Sequence, residues 1–188
     1  MNLANRLTLL RVVLAPLFFT VYFLNTTWTV PLLWVIFIVS EITDMLDGMA
    51  ARRFKQTSGF GMLFDPFADT LMQLTCFLCF TIDRIIPAAL LLIVLYREFA
   101  ILFIRNLMLK KGVTMGARIS GKIKTVTYIA AAAAALLYVS LLRLGVAEPW
   151  QPIFKTAAIA VFSVSVLFSV VSFIDYFSVY RSAGKSHT

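Results

Sequence analysis

Six runs of about twenty apolar residues follow one another along this chain, separated only by short polar connections. A helix of that length and composition crosses the hydrocarbon core of a bilayer. Across the 188 residues, 61% are hydrophobic and only 14% are charged, which is far from the balance of soluble domains. The sequence therefore predicts an all-α integral membrane protein, with one transmembrane domain over residues 1–188 and six transmembrane helices. The predicted spans are 8–25, 30–52, 60–81, 86–108, 123–142 and 153–180.

The positions of lysine and arginine predict the orientation of these spans. Cytoplasmic connections are enriched in both residues. Arg97 and Arg105 lie inside the fourth predicted span. Of the other lysines and arginines, only Arg84, Arg143 and Lys155 fall on the side of the membrane opposite the N-terminus. We therefore expect both termini to be cytoplasmic and the first span to be retained rather than cleaved as a signal peptide. Attraction to anionic lipid headgroups accounts for the net charge of +8, and we expect no nucleic-acid partner.

Four aspartates interrupt the second and third apolar runs. Asp44 and Asp47 are spaced i, i+3, and Asp65 and Asp69 are spaced i, i+4, so each pair shares one face of a helix. The connection "RRFKQTSGFG" is short, which makes the two helices antiparallel neighbours. Because an ionised carboxylate inside a bilayer is costly, the four side chains need a common partner. The spacing predicts one shared acidic site.

Carboxylates in such a cluster repel one another, and divalent cations relieve the repulsion. Ligands that are all oxygen atoms favour Mg²⁺ or Mn²⁺, and Ca²⁺ also accepts them. Two other interpretations stay open from spacing alone. The aspartates can form structural salt bridges with Arg52, Arg53 or Arg97, or they can line a proton or cation pathway.

Small residues follow the first acidic pair. Gly48, Ala50 and Ala51 leave room for a bulky group against the helix backbone, although glycine inside a helix is unfavourable by about 1 kcal/mol relative to alanine. Arg52 can pair with a phosphate in bidentate fashion. The acidic helix therefore favours a bound nucleotide.

Residues 44–69 read D-x2-D-G-x2-A-R-x8-G-x3-D-x3-D, which resembles the signature of the CDP-alcohol phosphotransferases. The resemblance implies transfer of a substituted phosphate from a CDP-linked donor to an alcohol, with release of CMP. It also implies six spans and a homodimer. The matching positions are Asp44, Asp47, Gly48, Ala51, Arg52, Gly61, Asp65 and Asp69.

The same resemblance implies roles for individual residues. Asp44, Asp47 and Asp65 would hold two Mg²⁺ or Mn²⁺ ions, and Asp69 would complete the second ion's surroundings and act as the general base. The residues expected to contact the CDP group are Asn5, Thr8, Gly48, Ala51, Arg52 and Gly61.

A second cluster is basic and lies in "REFAILFIRNLMLKKGVTMGARISGKIKT". Its seven cations favour a phosphorylated acceptor. Cytoplasmic orientation alone also explains Lys110 and Lys111. Arg97 and Arg105 lie inside a predicted span and need partners, for which Glu98 and the aspartate cluster are the candidates.

The pattern R-E-F-A-x4-R, with G-V and G-K-I-K-T after it and "NRLTLLR" at the N-terminus, is similar to the phosphatidylglycerophosphate synthases, a bacterial branch of this family. This implies CDP-diacylglycerol as donor, glycerol 3-phosphate as acceptor and an active site facing the cytoplasm at the bacterial inner membrane. Two positions depart from that branch: Thr70 replaces a usual lysine, and Glu41 a small residue. Inositol phosphate, serine, or a CDP-aminoalcohol donating to diacylglycerol therefore stay open. The expected ligands of the acceptor phosphate are Arg105, Arg118, Lys122 and Lys124.

Overall fold

The structure is a computed structural model. It describes the backbone of residues 3–54, 59–110 and 119–185, and side chains over 6–46, 64–108 and 119–181. Within these ranges the chain forms six α-helices, a short 3₁₀ turn at Glu148–Trp150 and no strand, which confirms the all-α prediction. The helices are α1 Leu3–Phe23, α2 Thr29–Phe54, α3 Gly59–Ile82, α4 Ala88–Lys110, α5 Ile119–Leu144 and α6 Gln151–Lys185.

Four segments of the described residues are long and apolar enough to cross a membrane. Helices α3 and α4 contain none of these four segments. Asp65 and Asp69 lie in α3, and Arg97, Glu98 and Arg105 lie in α4. Charges therefore interrupt the apolar stretch of these two helices. The four segments are Arg6–Phe23, Thr29–Leu46, Ile119–Leu144 and Glu148–Arg181.

The bundle has one continuous apolar core. Helix α1 packs between α2 and α3, while α6 packs against α5 and α4. The ring of Phe77 lies at its centre and meets the rings of Phe162 and Tyr128 edge-on, with centroid distances of 4.8 and 5.4 Å. Ala131 and Ala135 in the alanine run of α5 are almost fully buried. Small side chains at these positions let α5 approach its neighbours closely.

Three short connections lie at one end of the bundle, which we call the far end. Each contains a residue with left-handed backbone geometry: Asn25 at φ 47°, Arg84 at φ 55° and Ala147 at φ 58°. Gly145, at φ 63°, follows the last residue of α5. A left-handed residue just after a helix redirects the chain into a tight turn. These turns reverse α1, α3 and α5, so the first turns of these helices meet the last turns of α2, α4 and α6 at the opposite end, the site end.

Candidate active site

A cavity of about 420 Å³ opens at the site end, between α2, α3, α4, α5 and α6. Most of its charged lining residues form two groups of opposite charge, and Arg97 and Glu98, which pair with each other, also line it. We call the group of carboxylates the acidic wall and the group of lysine and arginine side chains the basic wall. The acidic wall consists of Asp44, Asp65 and Asp69, and the basic wall consists of Arg105, Lys122 and Lys124.

Helix α1 supplies partners for two carboxylates of the acidic wall. The Thr8 hydroxyl donates to Asp65 Oδ1, and Arg11 Nη1 donates to Asp44 Oδ1 in an ion pair. Thr8 and Arg11 are both buried, at 0% and 1% exposure. Thr8, which the family resemblance assigned to CDP contact, therefore lies beneath the acidic wall with its hydroxyl directed to Asp65. The spacing N-R-L-T-L-L-R puts Thr8 and Arg11 one turn apart on α1, so both reach the same side.

Asp69 lies in the middle of the polar groups. Gln73, one turn further along α3, donates Nε2–H to Asp69 Oδ1 at 3.0 Å. The charges of Asp44 and Lys124 both act on the Asp69 carboxylate. Carboxylates from two different helices are therefore close enough to interact. The expectation that these helices are direct neighbours is not met in the described residues, because α1 packs between α2 and α3.

The predicted metal ligands are only partly covered by the structure. Asp47 lies outside the described side chains, and among those that are described no three Asp, Glu, His or Cys residues form a metal-binding group. Asp44, Asp65 and Asp69 nevertheless line one cavity and offer only oxygen atoms. That donor set fits a hard divalent cation better than zinc. The four-aspartate metal site stays a prediction.

Several predicted site residues have no described side chain. The backbone at positions 47, 48, 51 and 52 is helical within α2, and position 61 is helical within α3. Arg118 lies outside the described residues altogether. The side chains not described are those of Asn5, Asp47, Gly48, Ala51, Arg52, Gly61 and Arg118.

The basic wall contains two kinds of cation. Arg105 Nη2 donates to the Tyr176 hydroxyl at 3.2 Å, and its guanidinium lies 5.5 Å from that ring's centroid. Lys122 is exposed and forms no ion pair with another described residue. Lys124 is different, because it is buried and its Nζ is 2.9 Å from Glu98 Oε1. Arg105 and Lys122 are therefore better placed than Lys124 to meet a mobile phosphate.

A buried polar network extends from Asp69 into the bundle. Lys124 Nζ lies 3.4 Å from Gln73 Oε1 and 4.3 Å from the centroid of the Tyr128 ring. Glu98 Oε1 pairs with Arg97 Nη1 at 2.7 Å, which confirms Glu98 as a partner for the arginine inside the span.

Arg97 fixes this network to α6. Its Nε donates to the Ser169 carbonyl oxygen at 3.2 Å, and its Nη2 donates to the Ser172 hydroxyl at 3.0 Å. Sequence reasoning missed Gln73 and both serines. The signal for Gln73 was its i+4 spacing from Asp69, whereas the serines on α6 had no signal because they are distant in sequence.

Both positions that depart from the synthase pattern lie at this site. Thr70 is buried and lines the cavity beside Asp69. Glu41 lies one turn before Asp44 on α2, and its carboxylate experiences the charges of Asp69 and Asp44. The departures therefore alter the immediate surroundings of the acidic wall.

The helical bundle and its cavity define a membrane protein with facing acidic and basic groups, an arrangement suited to phosphoryl transfer. A family model described as CDP-alcohol phosphatidyltransferase matches residues 1–171. The chain belongs to this family and is an enzyme of the transferase class.

Three similar proteins share the name CDP-diacylglycerol–glycerol-3-phosphate 3-phosphatidyltransferase. The protein from Treponema pallidum is 36% identical over 143 residues, covering 76% of this chain and 66% of that protein. The Bacillus subtilis protein is 31% identical, with 94% of both chains covered. The Escherichia coli K12 protein is also 31% identical, with 96% of both covered.

Proposed function

We infer that this chain transfers the phosphatidyl group of CDP-diacylglycerol to glycerol 3-phosphate, forming phosphatidylglycerophosphate and CMP. The main observation in support of this function is that the acidic wall and the basic wall line the same cavity. The names of the relatives support the choice of donor and acceptor.

The acidic wall is the place for the reaction itself. In the transfer, an acceptor oxygen forms a bond to the lipid-bearing phosphorus, and the bond from that phosphorus to the CMP oxygen breaks. Asp69 accepts the proton of the acceptor hydroxyl, and CMP leaves with the bonding electron pair. Oδ1 of Asp69 already accepts from Gln73, and we assign the incoming hydroxyl to Oδ2.

The donor's diphosphate belongs at the end of α2. We assign the CDP contacts to Asn5, Gly48, Ala51, Arg52 and Gly61, as the family resemblance implies. Thr8 is left out of this set because it is buried and its hydroxyl donates to Asp65. A pair of Mg²⁺ ions held by Asp44, Asp47, Asp65 and Asp69 would neutralise charge on the diphosphate and on the leaving CMP. Thr8 and Arg11 hold two of these carboxylates from below, so their positions are set before any substrate binds.

The acceptor's phosphate belongs at the basic wall. Arg105 and Lys122 face the cavity with their charged groups available, and Arg118 and Lys124 complete the set proposed from the sequence. A phosphate bound there brings the acceptor's free hydroxyl toward Asp69, which lines the same cavity. Positioning and electrostatics account for most catalysis in phosphoryl transfer.

The membrane arrangement follows from the same reasoning. We propose six spans in one domain, both termini in the cytoplasm and a site that faces the cytoplasm of a bacterial inner membrane. Lysine and arginine concentrate at the site end, which supports this orientation. The donor's acyl chains then stay in lipid while its headgroup reaches the cavity. A homodimer is proposed from the family resemblance.

The experiment that tests the function is an acceptor screen. Purified protein in mixed micelles with radiolabelled CDP-diacylglycerol and Mg²⁺ receives glycerol 3-phosphate, inositol phosphate or serine, and the lipids are separated by chromatography. We expect phosphatidylglycerophosphate only with glycerol 3-phosphate. A product with another acceptor alone would refute the proposed acceptor, and Thr70 and Glu41 would be the first residues to examine. Ion flux in liposomes without any nucleotide-dependent product would indicate the alternative, an acid-lined cation pathway.

A further inference from the structure

A second cavity, of about 490 Å³, lies at the far end of the bundle. It opens where the α1–α2 and α3–α4 connections meet the last turn of α5 and the first turn of α6. The whole length of the bundle separates it from the acidic wall. Its polar lining consists of Asn25, Thr27, Asp83, Tyr138, Arg143 and Lys155.

Two of the three cations that the sequence places away from the cytoplasm meet in this cavity. Arg143 approaches from the end of α5, and Lys155 approaches from the start of α6. The third, Arg84, lies at the same end of the bundle but does not line the cavity. The proposed transfer reaction uses none of these three residues.

Arg143 is fixed in place by other groups. Its Nη1 donates to the Thr29 hydroxyl at 3.0 Å, and its Nη2 donates to the Tyr22 carbonyl oxygen at 2.6 Å. The guanidinium also lies over the Tyr22 ring, 4.7 Å from the centroid. A guanidinium has five N–H groups, so three remain for a ligand. Because the side chain is already ordered, binding a ligand there loses little conformational entropy.

The cavity carries an excess of positive charge. Lys155 is half-buried and forms no ion pair with any described residue. Asp83 is the one acid among the described lining residues, and its Oδ2 already accepts the Tyr22 hydroxyl at 2.7 Å. Two cations and one occupied carboxylate leave a net charge of +1 in the lining.

The depth of the cavity decides which anion it meets. It lies where the helices end, and at that level a membrane protein is surrounded by phospholipid headgroups. Part of the lining is apolar, formed by Ile85, Val139 and Leu142. Such a surface suits the glycerol backbone and first acyl carbons of a lipid. Arginine beside lysine suits the phosphate, since guanidinium binds phosphate oxygens in bidentate fashion.

We propose that the far-end cavity binds an anionic phospholipid, with Arg143 and Lys155 as the ligands of its phosphate. The bound lipid bridges the ends of α5 and α6 and contacts both connections that border the cavity. A ligand that binds only the folded protein raises its stability by mass action. The inference is independent of the transfer reaction.

The test uses the purified full chain, delipidated in a neutral detergent. Phosphatidylglycerol, phosphatidylcholine or inorganic phosphate is added in turn, and binding is followed by native mass spectrometry and by the thermal unfolding midpoint. We expect phosphatidylglycerol to bind and raise the midpoint, and we expect the other two additions to do so at least tenfold more weakly. Equal binding of inorganic phosphate would overturn the lipid assignment, and equal binding of phosphatidylcholine would overturn the requirement for a net negative charge.

Variants assign the binding to this cavity. The double variant Arg143→Gln with Lys155→Gln is expected to weaken phosphatidylglycerol binding at least tenfold. The single variant Lys155→Gln, which breaks no ion pair with a described residue, should weaken it several-fold. Arg84→Gln is the matched control, because it removes one cation from the same end and should leave binding unchanged. An equal loss in Arg84→Gln, or no loss in Lys155→Gln, would overturn the proposal whether or not the enzyme makes its product.

Discussion

The hydrogen bond between Gln73 and Asp69 gives the sharpest prediction about catalysis. Gln73 Nε2 lies 3.0 Å from Asp69 Oδ1, and Gln73 Oε1 lies 3.4 Å from Lys124 Nζ. A carboxylate only accepts and an ammonium only donates, so these two neighbours allow one orientation of the amide. Gln73 is buried and does not line the cavity. It therefore positions Asp69 without contacting substrate.

Replacing Gln73 with leucine removes the donor and nearly preserves the volume. A hydrogen bond to a charged group contributes about 1.5–3 kcal/mol. This bond is already present before the reaction, so its loss lowers the rate through the lost orientation of Asp69. Misplacement of a catalytic group by about 1 Å costs about 100-fold, and we expect kcat to fall by about 10- to 100-fold. The KM values for donor and acceptor should change by less than about threefold, because the lining of the cavity is intact.

The assay is steady-state formation of radiolabelled lipid at varied donor and acceptor concentrations. Thr75→Val is the matched control, because it removes a hydroxyl on the same helix whose partner is the Leu71 carbonyl oxygen at 2.7 Å. Gln73→Glu provides a second test, since it places a carboxylate against Asp69 and should be at least as impaired as the leucine variant. A Gln73→Leu enzyme with kcat within twofold of the parent would refute the positioning role.

Other parts of the site give further predictions. Asp69→Asn should lower CMP release at least about 100-fold with the protein still folded, because the amide cannot accept the proton; activity near the parent's would rule out this base. Glu98→Gln should lower unfolding stability by about 3–5 kcal/mol, since Arg97 and Lys124 lose a buried partner; an unchanged thermal midpoint would contradict this. Lys122→Gln should raise KM for glycerol 3-phosphate more than KM for the donor, and the reverse pattern would place Lys122 elsewhere. EDTA should abolish activity and Mg²⁺ should restore it, whereas activity in EDTA would exclude the metal.

The sequence predicted the helices of the bundle well because each helix corresponds to one continuous apolar run in the sequence. Long apolar runs bounded by turns predicted six helices, and the structure has six in the described residues. Helix ends shifted by several residues, as at the C-terminus of α6, which ends at Lys185 rather than at position 180. Apolar content predicts where a helix lies in a membrane, whereas helical hydrogen bonding continues beyond the hydrocarbon core.

The acidic wall was predictable because its aspartates follow helical spacing within two helices that are consecutive in the sequence. The supporting contacts were harder to predict, since Thr8 to Asp65 spans 57 positions and Arg97 to Ser172 spans 75. Nothing in the local pattern shows that Lys124 pairs with Glu98 instead of remaining available for phosphate. Tertiary packing decides which cation is buried, and a single sequence does not contain that information in local form.

The central claim is that donor and acceptor react directly in one cavity with Asp69 between them. CMP release from CDP-diacylglycerol labelled in the cytidine, measured with and without glycerol 3-phosphate, tests this most directly. The account predicts release only when the acceptor is present, with one CMP formed for each molecule of phosphatidylglycerophosphate. CMP released at the same rate without the acceptor would contradict it.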